Sequence, residues 1–313
     1  MRRRPRGVDG FLTLYKPRGI TSMEAVRRVR RFTKQRHVGH GGTLDPLAEG
    51  VLPICFGQAT RLMEYLVEDV KCYRLELTLG VTTDTYDAEG QAVEEADPSG
   101  ITPEQVESAL AGFRGAFWQT PPMYSALKRQ GRRLYDLARA GIEVEREPRR
   151  VRVEHLEVLD FDPPRLVLEV GCGRGLYLRS LAHDMGQALG CGGYLSALVR
   201  LRAGAFHLED SVKLEELEER SSEGRWEELL QPLDLPLLFM KALRVSPAGE
   251  RLLRNGQAVS HGPPSSYTTH LESCRAYSHD GRFLGVVRWD RSQGLWRPYK
   301  TFQPGKPSIH APA

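Results

Sequence analysis

The segment from residue 70 to residue 80 alternates apolar and polar side chains without a break. Tyr73, Leu75, Leu77 and Leu79 fall on one face of an extended chain, with polar residues between them. Such alternation is typical of a strand that buries only one face. The segment therefore predicts a strand in a sheet that is covered on the face of Tyr73.

Helices and further strands are predicted around this segment. Thr21 opens a capping box before an apolar helical stripe, and Thr102 opens a second capped helix with a proline at its first position. A third helix starts at Leu178 and ends before Gly190. Strands are predicted at residues 11–15 and 165–171, and short strands and turns after Leu243. The mixture predicts an α/β fold with a small β domain at the end.

The length of 313 residues favours two domains. No apolar run reaches the 18 residues that a membrane span needs, which excludes an integral membrane protein with helical spans. The apolar stretch after the basic start is too short for a secretory signal peptide. Five scattered cysteines without a CxxC pair predict neither a disulfide framework nor a zinc site. We therefore expect a cytoplasmic protein without a metal.

Charge is distributed unevenly along the chain. Residues 1–40 hold twelve Lys and Arg residues and two acidic ones, and a second basic cluster begins at Lys128. Residues 209–234 hold ten acidic and three basic residues. This asymmetry is compatible with a polyanion on one face or with ordinary solvated helices, so charge alone leaves nucleic-acid binding open.

The segment from Gly39 to Gly50 is the richest in chemistry-bearing residues. Its glycines allow close approach of a ligand, and Asp45 stands before a proline in this rigid loop. Asp45 could serve as a nucleophile or base, or it could simply cap a turn. His40 could likewise be a base or a packing residue.

A second segment, residues 167–175, has the strand and glycine loop of a methyltransferase that binds S-adenosylmethionine. A doubly wound nucleotide fold would need a second strand ending in an acidic residue about 20 residues later. Residues 191–202 instead predict a glycine turn and a basic segment.

Two further side chains each have two interpretations. Arg179 could pair with a carboxylate such as Asp45 or lie on the surface. Tyr73 could stack on a base or belong to the core.

Several motifs, in order, resemble the TruB-type pseudouridine synthases, the relatives of dyskerin. The signature loop of that family is similar to residues 40–53, and further similar motifs are residues 16–22, 57–61, 71–74, 119–128, 175–181 and 200–202. Glu49 and Tyr15 depart from the usual residues of the family. These two departures affect loop contacts and not the positions that carry the chemistry.

The resemblance implies the pseudouridine-synthase fold, an α/β architecture with a mixed, mainly antiparallel sheet and flanking helices. It implies a catalytic domain at residues 8–240 with an RNA-gripping thumb at about 124–152. A small β-barrel-like PUA domain would follow at 243–302. Residues 1–7 and 303–313 are expected to be flexible tails.

The resemblance also implies an isomerase that converts a uridine to pseudouridine without a cofactor. Asp45 would be the essential carboxylate, Arg179 would pair with it, and Tyr73 would stack on the target base. His40 would fill the space that the flipped nucleotide vacates, and Tyr177 and Leu198 would line the pocket. Further substrate contacts would come from Lys16, Gly42, Thr43, Leu44, Arg61 and Lys128.

The substrate implied by the resemblance is the T-arm stem-loop of tRNA, modified at conventional position 55. The PUA-like domain would contact the acceptor end. The enzyme would act as a monomer without an obligatory protein partner or a membrane. Two alternatives stay open: a dyskerin-like enzyme that acts on rRNA with guide RNAs, and a non-catalytic RNA-binding protein or RNA chaperone.

Overall fold

The computed structural model describes residues 7–68, 70–125, 127–129, 131–142, 144–262, 267–303 and 305–312. Its helices are α1 (Ser22–Thr33), α2 (Met63–Glu68), α3 (Pro103–Ala111), α4 (Leu134–Arg139), α5 (Leu178–Ala188), α6 (Leu214–Ser222) and α7 (Pro247–Arg254). Its strands are β1 (Gly10–Lys16), β2 (Val38–His40), β3 (Glu49–Phe56), β4 (Lys71–Leu79), β5 (Val81–Thr83), β6 (Ala92–Glu95), β7 (Gly115–Gln119), β8 (Lys128–Arg129), β9 (Arg132–Arg133), β10 (Arg149–Asp162), β11 (Arg165–Cys172), β12 (Gly193–Ala203), β13 (Phe206–His207), β14 (Ala242–Arg244), β15 (Ser273–Tyr277), β16 (Phe283–Asp290) and β17 (Leu295–Thr301).

The first two capped helices begin where their sequences predict. The Thr21 hydroxyl accepts a hydrogen bond from the Glu24 backbone N–H at 3.0 Å and caps α1. At α3, Thr102 and Gln105 form a complete capping box, and Pro103 occupies the first turn. These local signals depend only on neighbouring residues, which is why the sequence predicts them.

The larger sheet has nine strands within the described residues. Its main path runs β1-β3-β12-β4-β11-β10-β7, while β2 pairs with β3 and β13 with β12. Every pairing is antiparallel except that of β3 with β12. The predicted mixed, mainly antiparallel sheet is thus confirmed. Because β11 lies between two antiparallel neighbours, residues 167–175 do not belong to a doubly wound nucleotide fold.

The central strand β4 buries the face predicted from its alternation. Leu75, Leu77 and Leu79 are buried in one cluster with Leu181 and Met185 of α5. Helix α1 packs in a second cluster with β1 and β3. Both clusters border the loop between β2 and β3, so the loop that carries Asp45 is supported by two packed layers.

The smaller sheet has the order β14-β15-β16-β17 and packs with α7 around its own apolar cluster. A further cluster joins the two sheets, with Phe11 and Val51 on one side and Tyr277 and Val286 on the other. The Ser308 hydroxyl, near the C-terminus, donates to Asp234 at 2.6 Å.

In the described part of the chain, every helix is too short or too polar to cross a membrane.

Candidate active site

Asp45 lies on the loop between β2 and β3, and the segment before α1 holds the backbone on both sides of it. The Ser22 hydroxyl accepts from the Leu44 N–H at 2.8 Å and lies 3.0 Å from the Leu44 carbonyl, to which it can donate. The Gly19 N–H donates to the Pro46 carbonyl at 2.8 Å. The Asp45 side chain remains 47% exposed, so the loop is fixed while its carboxylate stays accessible.

Arg179 meets Asp45 from the first turn of α5. Its Nη2 lies 3.0 Å from Asp45 Oδ2 and donates to the Tyr124 carbonyl at 2.8 Å, while its Nη1 lies 3.5 Å from Asp87 Oδ2. Arg179 is only 9% exposed, and Asp87 is buried. The guanidinium thus bridges a buried and an accessible carboxylate, which fixes the position of the Asp45 side chain.

Buried Gln119 fixes the start of α5. Its side-chain Oε1 accepts from the Tyr177 N–H at 2.8 Å, and its Nε2 donates to the Tyr177 carbonyl at 3.1 Å. Burial raises the pKa of the Tyr177 phenol. Because Tyr177 directly precedes α5, the same contacts position the turn that carries Arg179.

Apolar side chains form a wall beside the carboxylate. Leu44, Tyr73, Leu198 and Leu178 belong to one buried cluster. Burial raises the pKa of the Tyr73 phenol, and the charge of the Arg200 guanidinium acts in the opposite direction. An aromatic ring and aliphatic side chains near an accessible carboxylate suit a flat base on a sugar.

Three basic side chains lie behind the loop. Lys16 is buried, with its Nζ donating to the carbonyls of Pro17 at 2.9 Å and Ile20 at 2.7 Å. His40 ends β2 and is half-buried, and burial, followed by the charge of Arg200, lowers its pKa. Arg200 itself is 1% exposed and donates to the Val51 and Gly42 carbonyls.

The other residues predicted to contact the substrate lie in different parts of the structure. Thr43 is exposed on the loop. Arg61 Nη1 donates to the Thr301 carbonyl at 2.7 Å, so this residue joins the larger sheet region to β17. Lys128 lies on β8, and its side chain is outside the described part of the chain. Glu250 of α7, His279 and Asp280 form a group of metal-ligating residue types away from Asp45, but Arg282 pairs with both carboxylates.

Sequence reasoning did not single out Asp87, Gln119, Ser22 or Arg200 individually. Asp87 lies in a turn after β5 with no periodic pattern, and Ser22 reads as part of a capping box. Arg200 stands in a run of alternating basic residues, where only the strand register tells which one points inwards. Only the packing of α5, β12 and the loop against one another brings these residues next to the site.

Two family models match the chain. The model for the TruB family pseudouridylate synthase (N terminal domain) matches residues 30–178, and that for the tRNA pseudouridylate synthase B C-terminal domain matches residues 179–238. Similar proteins named tRNA pseudouridine synthase B include one from Dehalococcoides mccartyi (strain ATCC BAA-2266 / KCTC 15142 / 195), 42% identical over 94% of this chain and 97% of its own length. Another, from Dechloromonas aromatica (strain RCB), is 46% identical over 92% of this chain and 94% of its own.

Solved structures share the fold. A Cbf5-Nop10-Gar1 complex contains a chain with a TM-score of 0.71 and 24% identity, aligned over 95% of this chain and 85% of that one. An H/ACA RNP bound to a substrate RNA containing 2'-deoxyuridine has the same TM-score at 21% identity, over 97% and 87%. The long, highly similar relatives and the two family models agree with the motifs: the chain belongs to the TruB family of pseudouridylate synthases.

Proposed function

We propose that this enzyme isomerises the uridine at conventional position 55 in the T-arm loop of tRNA, with Asp45 as the essential carboxylate. The observation that carries the proposal is the 3.0 Å pair of Arg179 with the accessible Asp45 carboxylate, beside the apolar wall of Tyr73 and Leu198. Membership of a family whose relatives are named tRNA pseudouridine synthase B supports tRNA as the substrate.

The reaction breaks the bond from C1′ of the ribose to N1 of uracil and forms a bond from C1′ to C5. N1 gains a proton, and C5 loses its hydrogen. Asp45 could add to C1′, add to the base, or remove a sugar proton, and each route starts from an ionised, fixed carboxylate. The Arg179 pair and the Ser22 and Gly19 contacts to the loop hold this carboxylate in place for each route.

The uridine must leave the base stack to reach Asp45. In this proposal Tyr73 stacks on the flipped base, and Tyr177 and Leu198 line its pocket. Leu44, Gly42 and Thr43 contact the nucleotide from the loop, and His40 fills the vacated space. Neutral His40 suits this role, since burial and Arg200 both lower its pKa.

The RNA backbone would lie along α1 and the thumb at about 124–152, with Lys128 on the side of the substrate. Lys16 is buried, so it would support the loop from behind and not contact the RNA backbone. Arg27 and Arg31 of α1 are exposed, which suits phosphate contacts and predicts strong salt dependence. Within the catalytic domain at 8–240, Arg61 would act at the border with the PUA-like domain at 243–302. That domain would contact the acceptor end, and the enzyme would act as a cytoplasmic monomer without a cofactor.

The test uses T-arm stem-loop RNA tritiated at uridine C5, because C5 loses its hydrogen only when the new carbon–carbon bond forms. We expect tritium release by the wild-type enzyme and none by Asp45→Asn, with RNA affinity unchanged since the carboxylate serves chemistry rather than phosphate binding. Asp162→Asn, an exposed aspartate at the end of β10, is the matched control and should release tritium normally.

Each other outcome points to a different conclusion. Binding without release by the wild type would favour the non-catalytic RNA-binding alternative. Release only after guide-RNA particles are added would favour the dyskerin-like alternative. Normal release by Asp45→Asn would remove Asp45 from the mechanism.

A further inference from the structure

Arg200 is a buried cation whose side chain contacts the catalytic loop and the strand that follows it, and that lies opposite Tyr73. It is 1% exposed, on the inner strand β12. Its Nε donates to the Val51 carbonyl at 2.6 Å, and its Nη2 donates to the Gly42 carbonyl at 3.1 Å. Val51 follows the loop that holds Asp45, and Gly42 precedes it. One side chain therefore ties both ends of the loop together.

The backbone of the loop is shaped around the same residue. Gly42 and Gly50 both have φ +97°, a conformation that favours glycine. A Cβ on Gly50 would lie 2.4 Å from the Arg200 carbonyl oxygen, and a Cβ on Gly42 would lie 3.4 Å from Arg200 Nη1. The two glycines thus allow the loop to close against the backbone and the side chain of Arg200.

Arg200 also reaches the aromatic side of the pocket. In the sheet register it lies directly opposite Tyr73, which makes the two side chains neighbours on one face of the sheet, and its charge opposes the rise in the pKa of the Tyr73 phenol. A guanidinium has five N–H donors in a planar fork, which allows it to serve the Val51 and Gly42 carbonyls and still face the Tyr73 side chain. A lysine at this position has one ammonium group and cannot reproduce that arrangement.

A purely structural residue at this position would not need a charge. An apolar side chain could fill the volume of Arg200 without the cost of taking a guanidinium out of water. The charge instead has local consequences, because it lowers the pKa of His40 and acts in the same direction on Lys16.

We propose that Arg200 is a positioning residue for the isomerisation: it fixes the loop that carries Asp45 at both ends and orients the Tyr73 hydroxyl towards the same pocket. The inference rests on the proposed function for its kinetic test. It adds a residue that acts through Asp45 and Tyr73 and does not itself touch the reacting atoms.

The main test compares Arg200→Lys with the wild type in single-turnover tritium release from T-arm RNA. A misplacement of about 1 Å can cost on the order of 100-fold, so we expect a rate about 30- to 100-fold lower at saturating RNA. RNA affinity should stay within about 3-fold, because Arg200 is buried away from phosphates. Arg202→Lys, two residues along β12 and half-buried, is the matched control and should retain the wild-type rate.

A spectroscopic measurement tests the contact with Tyr73 without any turnover. In protein carrying ¹³Cζ-tyrosine, the Tyr73 resonance is identified by its loss in Tyr73→Phe. We expect this resonance to shift in Arg200→Lys and to stay in place in Arg202→Lys. Failure of the proposed function would appear as a wild type that releases no tritium, whereas failure of this inference would appear as an unshifted resonance.

A double variant tests the shared action of the two residues. If Arg200 acts partly through the Tyr73 hydroxyl, Tyr73→Phe should lower the rate less in the Arg200→Lys background than in the wild type. Arg200→Gln, which buries no charge, serves as the second variant should Arg200→Lys fail to fold. A single-turnover rate per folded molecule within about 3-fold of the wild type in either variant would overturn the positioning role.

Discussion

At the scale of single residues, Lys16 shows what burial next to the active site does to a charge. Its ammonium is enclosed by β1 and the segment before α1, and burial lowers its pKa to about 8, although Asp45 and Glu49 favour the charged form. The unfolded chain restores the ordinary value of 10.5. Between these two values the unfolded state binds more protons than the folded state, so rising pH favours folding through this group.

We therefore predict that Lys16 contributes a pH-dependent term that Lys16→Met lacks. Between pH 7 and pH 10, the free energy of unfolding of the wild type should rise relative to that of Lys16→Met by about 2–3 kcal/mol. Urea unfolding of both proteins at several pH values measures this difference, and other titrating groups cancel. A difference that stays constant over this range would contradict a desolvated Lys16.

Residues of the site differ in how far the sequence predicts them. Asp45 stands out because glycines and prolines surround it within a few positions, and Arg179 because a motif marks the start of its helix. Arg200 does not stand out, since Arg200 and Arg202 lie on one strand and a register shift separates them. Only the pairing with β4 shows that Arg200 points to the loop.

At the scale of elements, the start of α1 acts as an anchor for the catalytic loop. Ser22 Oγ contacts both the N–H and the carbonyl of buried Leu44, the residue before Asp45. Ser22→Ala would leave these two backbone groups without partners in the interior, which costs about 1–3 kcal/mol for each unsatisfied group. The position of Asp45 would then depend on the Gly19 contact to Pro46 and on the contacts of Arg200.

We predict that Ser22→Ala lowers both stability and turnover. Urea unfolding should show a loss of about 2–6 kcal/mol, the sum for the two unsatisfied groups, and single-turnover tritium release should fall about 10-fold. Thr102→Ala is the matched control: it removes the cap of α3, should cost about 0.5–2 kcal/mol, and should leave the rate unchanged. Equal rates for Ser22→Ala and the wild type would show that α1 does not position Asp45.

Local signals and sheet register explain which elements were predicted. Strand β4 has unbroken alternation, and α3 has a full capping box, so both are recognised within the chain itself. Residues 191–202 were expected as a glycine turn and a basic segment; residues 191–192 precede β12, and the remainder forms most of this strand, in the middle of the sheet. Its two register shifts against β4 break the alternation, and the strand is stabilised by neighbours distant in sequence.

At the scale of the whole molecule, one buried carboxylate in the segment between the two sheets connects the smaller sheet and the C-terminal segment. Asp234 is fully buried, and its Oδ2 accepts from the Tyr277 hydroxyl of β15 and from the Ser308 hydroxyl, both at 2.6 Å. Arg275 Nη1 in turn donates to the Tyr277 hydroxyl at 2.9 Å. Residues expected to be part of a flexible tail thus contact the junction.

This network predicts a difference between full-length tRNA and the isolated T-arm stem-loop as substrates. Tyr277→Phe keeps the ring in its cluster but removes a donor to Asp234 and the acceptor of Arg275, which should cost about 1–3 kcal/mol in the free energy of unfolding. If the smaller sheet contacts the acceptor end, a looser junction should raise KM for full-length tRNA several-fold. Turnover on the isolated T-arm stem-loop should stay unchanged, because that RNA does not reach the smaller sheet.

The control for this prediction is Tyr299→Phe, which removes a hydroxyl from half-exposed Tyr299 on β17 while keeping the ring that stacks under Arg288. It should leave stability and both KM values unchanged. Equal losses on stem-loop and full-length tRNA in Tyr277→Phe would mean that the junction supports the catalytic loop itself, through the cluster that Val51 shares with Tyr277. A loss confined to full-length tRNA would instead assign the network to holding the smaller sheet in its RNA-contacting orientation.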